Sequence, residues 1–162
     1  RSWREAAKRV AAIAEREEVA FVTIGDPFIY STYVYLLKMI RKYYRKVQVE
    51  TIPGISAFNA AASAAGLTLV EGNERMAVVP VKKNMEGVRD ALLTFDTVVL
   101  MKVGSKLGQV TELLKELDLI KRAVLISRVG HSDERIVRDL GSLRDKKIGY
   151  LSVILVKKKG CV

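Results

Sequence analysis

Two short segments of the sequence place glycine, proline and a polar side chain directly after an apolar run. Residues 23–27 (TIGDP) close the apolar run at 19–24, and residues 52–57 (IPGISA) close a second run at 47–52. Glycine lets a backbone approach a ligand closely, an aspartate accepts hydrogen bonds from an ammonium or hydroxyl group, and proline stiffens the turn. These residue types suit the binding of a small polar ligand by loops, although each segment taken alone is more typical of an ordinary turn or a capped helix start.

The elements around these segments alternate between helix and strand. Apolar side chains at helical spacing predict a helix that starts after Ser2, a second helix at about 31–44 and a third at 58–65. The unbroken apolar runs predict strands that are buried on both faces of a parallel sheet. Because loops at the carboxyl ends of such strands share one rim of the sheet, we expect both segments to line one ligand-binding crevice.

The remaining sequence repeats this alternation and then changes character. Its pattern predicts strands at 76–81, 97–102 and 123–129, helices at 85–93 and 107–117, and extended segments near 135–140 and 149–156. The last two segments are separated by a short turn-rich gap, which predicts antiparallel pairing and therefore a mixed sheet. The polar, glycine-containing residues 71–74 indicate a junction. We expect two α/β domains, with a parallel sheet in residues 1–72 and a mixed sheet in residues 73–162.

The chain is strongly basic, with 28 Lys and Arg against 18 Asp and Glu and a formal net charge of +10 over 162 residues. An anionic partner or ordinary solubility can explain such a balance. Most basic residues alternate with acidic ones, and we interpret the short basic runs at 38–46 and 157–159 as solvated faces. A basic nucleic-acid-binding protein is an alternative that rests on charge alone. Since the sequence has no basic stripe interleaved with aromatic residues, we expect no nucleic acid partner.

Few other residues are candidates for catalysis or metal binding. His131 is the single histidine, so a histidine cluster for metal is excluded, and we interpret this residue as a bystander in a loop. Asp133 lies between Arg128 and Arg135, a pattern typical of a solvated ion-pair loop. Cys161 has no second cysteine to pair with, and no apolar run is long enough to cross a membrane. We therefore expect a cytoplasmic protein.

Residues 25–32 (GDPFIYST) and 53–58 (PGISAF) resemble, in order and spacing, the two internal signatures of the tetrapyrrole methylase family. Residues 58–80, 100–102 (LMK) and 128–135 (RVGHSDER) are similar to the subfamily that methylates precorrin-2 or cobalt-factor II at C(20). The resemblance runs over essentially the whole chain. It implies an S-adenosylmethionine-dependent C-methyltransferase of cobalamin biosynthesis that acts on a small tetrapyrrole and forms a homodimer.

The resemblance also implies where the cofactor binds. S-adenosylmethionine would lie folded in a cleft between two α/β domains, beneath a macrocycle held in a wide trough. The cofactor-contact positions carried over from the family are Ile24, Gly25, Asp26, Ile29, Ser31, Thr32, Ser56, Ala57, Met101 and Gly130. No catalytic residue is assigned, because methyl transfer from a sulfonium to an electron-rich carbon relies mainly on positioning and desolvation. Carboxylates around the macrocycle would give the net basic charge a role.

The chain departs from the family pattern in one respect. The family begins with a strand and a Gly-x-Gly-x-Gly-Asp loop, and no such segment occurs in this sequence. We expect a longer protein to be the functional one. Two other acceptors stay open, namely a different ring position, as in sister methylases, and the diphthamide precursor on an elongation factor. The Tyr-Ser-Thr sequence at 30–32 favours the ring, and whether the ring carries cobalt stays open.

Overall fold

A computed structural model describes residues 2–143 and 148–160. The helices are α1 (Trp3–Ala14), α2 (Tyr33–Tyr43), α3 (Ala57–Ala65), α4 (Glu86–Thr94) and α5 (Leu107–Glu116). The strands are β1 (Met76–Pro80), β2 (Thr97–Met101), β3 (Ala123–Ser127), β4 (Arg135–Val137) and β5 (Ser152–Lys157). Short 3₁₀ turns occur at Gly104–Lys106, Ile120–Arg122 and Leu140–Leu143. The chain divides into two compact units, residues 1–56 and 57–162.

Helices α1 and α2 form the core of the first unit. The Ser2 hydroxyl accepts a hydrogen bond from the Glu5 backbone N–H at 3.3 Å, which caps the amino end of α1 as the sequence predicted. Ala7 of α1 is fully buried against Leu36 and Ile40 of α2. The small alanine lets the two helix backbones approach each other, so this packing follows directly from the helical spacing of apolar residues.

The two strands predicted for the first unit are not formed. Within the described chain, residues 19–24 and 47–52 belong to no sheet, so the expected parallel sheet of this unit is not present there. Their apolar side chains are open to solvent: Val22 is 87% exposed, Ile24 83% and Ile52 77%. A strand requires a partner for its backbone hydrogen bonds, and neither run has one among these residues.

The second unit contains one five-stranded sheet in the order β1-β2-β5-β3-β4. Strands β1 and β2 are parallel, whereas β5 runs antiparallel to both of its neighbours, β2 and β3. Strand β4 pairs antiparallel with β3 at the edge. The α/β class and the mixed sheet are therefore confirmed. All six residues of β5 are buried, the apolar 153–156 as well as the polar Ser152 and Lys157 at its two ends.

Alternate residues of the central strands fill two separate cores. Val98 and Leu100 of β2 pack with α4 and α5 on one face, in a core that includes the fully buried Leu92 and Leu114. Val99, between them in sequence, packs on the other face with the alanines of α3. A strand directs successive side chains to opposite faces, so both faces of the sheet must be covered, and a helix covers each of them.

The packing of α3 places it in the second unit, before the domain boundary expected at residue 72. Residues 71–74 do form a turn into β1, in which the Glu74 N–H donates to the Glu71 carbonyl at 3.0 Å and Gly72 has a φ of +55°. The domain boundary at residue 72 stays a prediction.

One member of the basic run at 157–159 is not solvated. Lys157, the last residue of β5, is buried, and its ammonium group lies 2.8 Å from the Glu74 carboxylate. Glu74 also accepts a hydrogen bond from the Glu71 backbone N–H at 3.1 Å. The hydrogen bond from Lys157 is the main cause that lowers the pKa of Glu74. The pair therefore ties the turn before β1 to the end of the central strand.

None of the helices in the described part of the chain has the length and apolar character needed to cross a bilayer. Cys161, which the sequence leaves without a disulfide partner, lies outside the described residues.

Two adjacent leucines of α4 provide a matched test of how this helix packs against the sheet. Leu92 is fully buried and Leu93 is 61% exposed. We expect Leu92→Ala to lower the free energy of unfolding by about 2–5 kcal/mol, because it leaves a cavity between α4 and the sheet. Leu93→Ala should change it by less than about 0.5 kcal/mol. Urea denaturation followed by circular dichroism measures both, and equal losses would contradict the assigned orientation of α4.

The ion pair of Glu74 and Lys157 predicts a dependence of stability on pH. A carboxylate whose pKa is lower in the folded than in the unfolded protein stabilises the fold above its unfolded pKa, about 4.3, and loses this effect as the pH falls through the folded pKa. Glu74→Gln should therefore lower the unfolding free energy at neutral pH and reduce its loss below about pH 4.

The control is Glu112→Gln, which removes an exposed carboxylate that lies 2.7 Å from Lys115. Exposed pairs of this kind contribute little, so its stability profile should follow that of the parent protein. Chemical denaturation across the acidic range makes the comparison. A Glu74→Gln profile that runs parallel to the parent profile would show that the buried pair does not control the acid transition.

Candidate functional site

The two glycine-proline loops of the first unit contact each other. The Asp26 carboxylate accepts a hydrogen bond from the Phe28 N–H at 2.9 Å and, through its other oxygen, one from the Gly54 N–H at 3.1 Å. Gly25 has a φ of +80°, which is favourable only for glycine. A Cβ at residue 54 would lie 2.6 Å from the Gly25 carbonyl oxygen, so the backbones touch at a point where a side chain does not fit.

Tyr33 connects the elements around these loops. Its buried ring lies 5.9 Å, centroid to centroid, from both Phe21 and Phe28. Its hydroxyl group is hydrogen-bonded to the Thr51 hydroxyl. The sequence interpretation missed this residue. The available signal is that a buried tyrosine at the start of an amphipathic helix needs a polar partner for its hydroxyl group, but the sequence does not identify that partner.

Ser31 and Thr32 directly precede the first residue of α2. The Ser31 hydroxyl accepts a hydrogen bond from the Tyr33 N–H at 3.2 Å and lies 3.1 Å from the Thr23 hydroxyl. Thr32 occupies the helix N-cap position, but its side chain makes no capping hydrogen bond. Ser31 therefore supplies the polar contact at this helix start, and it also links the loop to the end of the first apolar run.

The other predicted site residues of the first unit differ in exposure. Ile24 and Ile29 are exposed in the described chain, at 83% and 38%. Ser56 is buried, and Ala57, directly after it, begins α3. Exposed apolar side chains beside a glycine loop provide both surface for an apolar group and backbone for a polar one.

In the second unit, Met101 is the last residue of β2 and Gly130 lies three residues after β3, and the carboxyl ends of these two strands share one edge of the sheet. Strand β5 pairs antiparallel with β2 and with β3, and its neighbouring residues Val153 and Ser152 face Met101 and Ser127 respectively. Two strand spacings separate β2 from β3, which is about 10 Å. The structure therefore brings the two predicted positions of this unit to the same edge of the sheet, while their role in ligand binding stays a prediction.

The loops after β2 and β3 in the second unit, and the first glycine-proline loop in the first unit, contain strained backbone. Lys102 after β2 and Arg128 after β3 have φ angles of +59° and +56°, and Tyr30 in the first glycine loop has a φ of +52°. Residues other than glycine rarely adopt such backbone angles, and the residues that do are enriched in binding and catalytic loops. Three of the four non-glycine residues with positive φ in the described chain thus lie in segments that the sequence singled out.

The segment 128–135 is an ion-pair loop, as predicted. Arg128 Nε lies 2.6 Å from the Asp133 carboxylate, and this hydrogen bond is the main cause that lowers the pKa of Asp133. The Gly130 N–H donates to Glu134 at 2.8 Å. His131 is exposed, and its N–H donates to the Arg128 carbonyl at 3.0 Å. The loop is held by its own side chains, while the role of His131 as a bystander stays a prediction.

The predicted cofactor positions are thus divided between the units. Seven lie in the first unit, namely Ile24, Gly25, Asp26, Ile29, Ser31, Thr32 and Ser56, and Ala57, Met101 and Gly130 lie in the second. Within each unit they lie in loops or, as for Ala57 and Met101, at the first or last residue of a helix or strand. Their assignment as cofactor contacts stays a prediction.

Comparison with known proteins identifies relatives over nearly the whole chain. Residues 1–143 match the Tetrapyrrole (Corrin/Porphyrin) Methylases. The chain is 35% identical over 165 residues to the probable cobalt-precorrin-2 C(20)-methyltransferase of Methanocaldococcus jannaschii, covering 96% of this chain and 65% of the relative. It is 30% identical to the cobalt-precorrin-2 C(20)-methyltransferase of Salmonella typhimurium, covering 97% and 66%. The chain therefore spans slightly less than two thirds of the length of these relatives.

Solved structures share the fold. The methyltransferase CobJ superposes with a TM-score of 0.71 at 24% identity, over 97% of this chain and 72% of CobJ. Uroporphyrin-III C-methyl transferase from Thermus thermophilus, solved in complex with S-adenyl homocysteine, gives 0.69 at 16% identity, over 95% and 72%. Diphthine synthase gives 0.62 at 20%, over 99% and 67%. These likenesses and the matched family confirm the fold class and the resemblance read from the sequence.

The backbone at Arg128 can be tested separately from its ion pair. Arg128→Gly and Arg128→Ala both remove the guanidinium group that contacts Asp133. Only glycine adopts a positive φ without steric cost, so we expect the glycine variant to be the more stable of the two by about 1 kcal/mol. Thermal unfolding measured side by side checks this order. A more stable alanine variant would show that residue 128 does not have a left-handed backbone.

Proposed function

Because the chain belongs to the tetrapyrrole (corrin/porphyrin) methylase family, we propose that it acts in S-adenosylmethionine-dependent methyl transfer to C(20) of precorrin-2 or cobalt-factor II, in cobalamin biosynthesis. The observation that carries the proposal is its identity of 35% and 30% to two cobalt-precorrin-2 C(20)-methyltransferases over nearly the whole chain. Both the metal-free and the cobalt-containing acceptor are proposed, because the relatives also include a precorrin-2 C(20)-methyltransferase from a Sinorhizobium species at 30% identity.

S-adenosylmethionine is the proposed cofactor, and S-adenosylhomocysteine its product. The residues of the chain suit such a molecule, which combines an apolar adenine ring with polar ribose and amino-acid groups. Ile24 and Ile29 offer exposed apolar surface next to the open backbone of Gly25. Met101 and Gly130 would hold the cofactor from the second unit. The solved relative with bound S-adenyl homocysteine supports this choice of ligand.

The cofactor supplies an electrophilic methyl group when bound, and the protein's own residues position the reactants and exclude water. An in-line displacement at a methyl carbon requires the acceptor carbon to lie on the side of the methyl group opposite the sulfonium sulfur. When the acceptor carbon is electron-rich, the reaction needs little acid-base catalysis. This requirement suits loops that are fixed by internal hydrogen bonds, such as those at Asp26 and Arg128. The positions in the first and second units are the proposed cofactor contacts, and no catalytic side chain is proposed.

The acceptor would be an anionic tetrapyrrole. Arg128 directly follows β3, and Arg135 begins β4 opposite Ser127, so both lie at the edge of the sheet that carries Met101. Guanidinium groups bind carboxylates through paired hydrogen bonds, and the net charge of +10 favours approach of a polyanion. We include a homodimer in the proposal on the strength of the family resemblance, and a cytoplasmic location on the strength of the sequence.

A different acceptor is the second candidate. The fold likeness to uroporphyrin-III C-methyl transferase and to diphthine synthase shows that one architecture occurs in proteins named for different acceptors. The higher identity to the C(20)-methyltransferases favours the C(20) position. Acceptor assays decide between them, because the three candidate products differ in mass and in the molecule that is methylated.

We expect the full natural protein to bind S-adenosylhomocysteine saturably in a calorimetric titration and to transfer a labelled methyl group to precorrin-2, cobalt-factor II or both. The affinity should change little between low and high salt, since the ligand carries little net charge. Binding to a nucleic acid through phosphate contacts would instead weaken steeply with salt.

Uroporphyrinogen III and an elongation factor preparation serve as the control acceptors. Transfer to either one, without transfer to precorrin-2 or cobalt-factor II, would move the proposal to the second candidate. A folded protein that does not bind S-adenosylhomocysteine at all would overturn the methyltransferase proposal.

A further inference from the structure

We propose that Glu134 is a positioning residue that holds Gly130, one of the proposed cofactor contacts, in the backbone conformation that the ligand site requires. The inference rests on the proposed function and deepens it. The Glu134 carboxylate accepts a hydrogen bond from the Gly130 N–H at 2.8 Å. Both residues belong to the segment between β3 and β4, residues 128–134, which we call the Gly130 loop. From the sequence, Gly130 is a predicted contact, whereas Glu134 is not.

The two ends of the Gly130 loop are fixed by the sheet. At its start, Arg128 donates its N–H to the Leu151 carbonyl at 2.8 Å. At its end, β4 begins directly after Glu134 and pairs with the last residues of β3. The Glu134 N–H also donates to the His131 carbonyl at 3.0 Å. The Glu134 side chain therefore extends from a fixed point of the backbone toward the middle of the loop.

Gly130 has a backbone conformation that needs such support. Its φ of +77° lies in the left-handed region, which glycine adopts without steric cost. Glycine also has the greatest backbone freedom of all residues, so it populates many other conformations as readily. Among the described residues, the hydrogen bond to Glu134 is the only one that the Gly130 backbone makes. The carboxylate thus selects one conformation at the position that has the most freedom.

The space beside Gly130 is open to a ligand. An added Cβ at this residue would meet no described atom within 4 Å. At Gly54, in contrast, the added Cβ would lie 2.6 Å from the Gly25 carbonyl oxygen, so close packing explains that glycine. Packing does not explain the glycine at residue 130. Its positive φ does, and the absence of a side chain leaves the backbone accessible to close approach.

This arrangement has a consequence for ligand affinity. A loop that is fixed before the ligand arrives loses less conformational entropy on binding. Loss of the hydrogen bond from Gly130 should therefore weaken binding through the backbone of the loop. A carboxylate that instead binds the ammonium group of the ligand would act through its charge. Positioning requires only an acceptor oxygen that reaches the Gly130 N–H, and glutamine also provides one.

Amide hydrogen exchange of the ligand-free full natural protein tests the hydrogen bond itself. We expect the Gly130 amide to exchange about tenfold or more slowly than in an unstructured peptide. Protection should persist in Glu134→Gln, and it should be lost in Glu134→Ala and in Glu134→Asp, whose side chain is one methylene group shorter. A Gly130 amide that is unprotected in the parent protein would overturn the proposal. Glu112→Gln, which removes an exposed carboxylate of α5, is the control.

Calorimetric titration with S-adenosylhomocysteine then separates positioning from a charge contact. Glutamine at residue 134 keeps the reach of the side chain without its charge, and aspartate keeps the charge without the reach. We expect Glu134→Ala and Glu134→Asp to lower the affinity about three- to tenfold, which is the contribution of one hydrogen bond. Glu134→Gln should bind within about twofold of the parent protein. Unfolding midpoints from circular dichroism establish that each variant is folded.

Three results of the titration would contradict the proposal. The first is a Glu134→Ala variant that binds like the parent protein, and the second is a Glu134→Gln variant that binds as weakly as Glu134→Ala. The third is a Glu134→Asp variant that binds like the parent protein although its Gly130 amide is unprotected. If Glu134→Ala does not fold, the glutamine and aspartate variants decide. Absence of binding by the parent protein would overturn the proposed function, while amide exchange would still decide whether Glu134 holds the loop.

Discussion

The structure of the second unit depends on the placement of β5 between β2 and β3. Because β5 runs antiparallel to both neighbours, β2 and β3 point in the same direction, and the residues that follow them lie at one edge of the sheet. Its alternate side chains, Val153 and Leu155 on one face and Ile154 and Val156 on the other, enter both cores. The edge that carries Met101 and Gly130 thus exists because β5 holds the two halves of the sheet together.

The first unit is held together by different interactions. Its helices pack through apolar side chains, but the loops and apolar runs beside them have no sheet hydrogen bonds among the described residues. Side chains connect these segments instead, through the Asp26 carboxylate and the Tyr33 hydroxyl group. These contacts are few, so each one contributes more to the local order than a single backbone hydrogen bond does within a sheet.

Elements that depend on interactions between residues close in the sequence could be predicted, whereas those that depend on distant partners could not. Helices such as α1 and α5 could be predicted because the spacing of apolar residues and the cap at Ser2 are local. Strands β2, β3 and β5 could be predicted because both of their faces are buried, which gives long apolar runs. The same pattern predicted strands at 19–24 and 47–52 and was wrong there, since strand formation also requires a pairing partner that the run itself does not encode.

The candidate site shows the same limit. Glycine, proline and their place after apolar runs predicted the two loops of the first unit, and the shared edge of Met101 and Gly130 follows from the strand directions. The role of these positions in cofactor binding stays a prediction. The Gly54 partner of Asp26 and the Thr51 partner of Tyr33 could not be predicted, because each contact joins residues far apart in the chain through backbone or hydroxyl groups. Such contacts leave no periodic signal in a single sequence.

The position of β5 in the chain has a consequence for how the protein is made. Thr97 pairs with Lys157, so the centre of the sheet contains contacts between residues that are far apart in the sequence. During synthesis, β2 and β3 leave the ribosome before their common partner does, and each presents an open edge until β5 arrives. Contacts of such long range slow folding, and open apolar edges promote aggregation. Between the synthesis of β3 and that of β5, the nascent chain therefore has two strands that still lack their common partner.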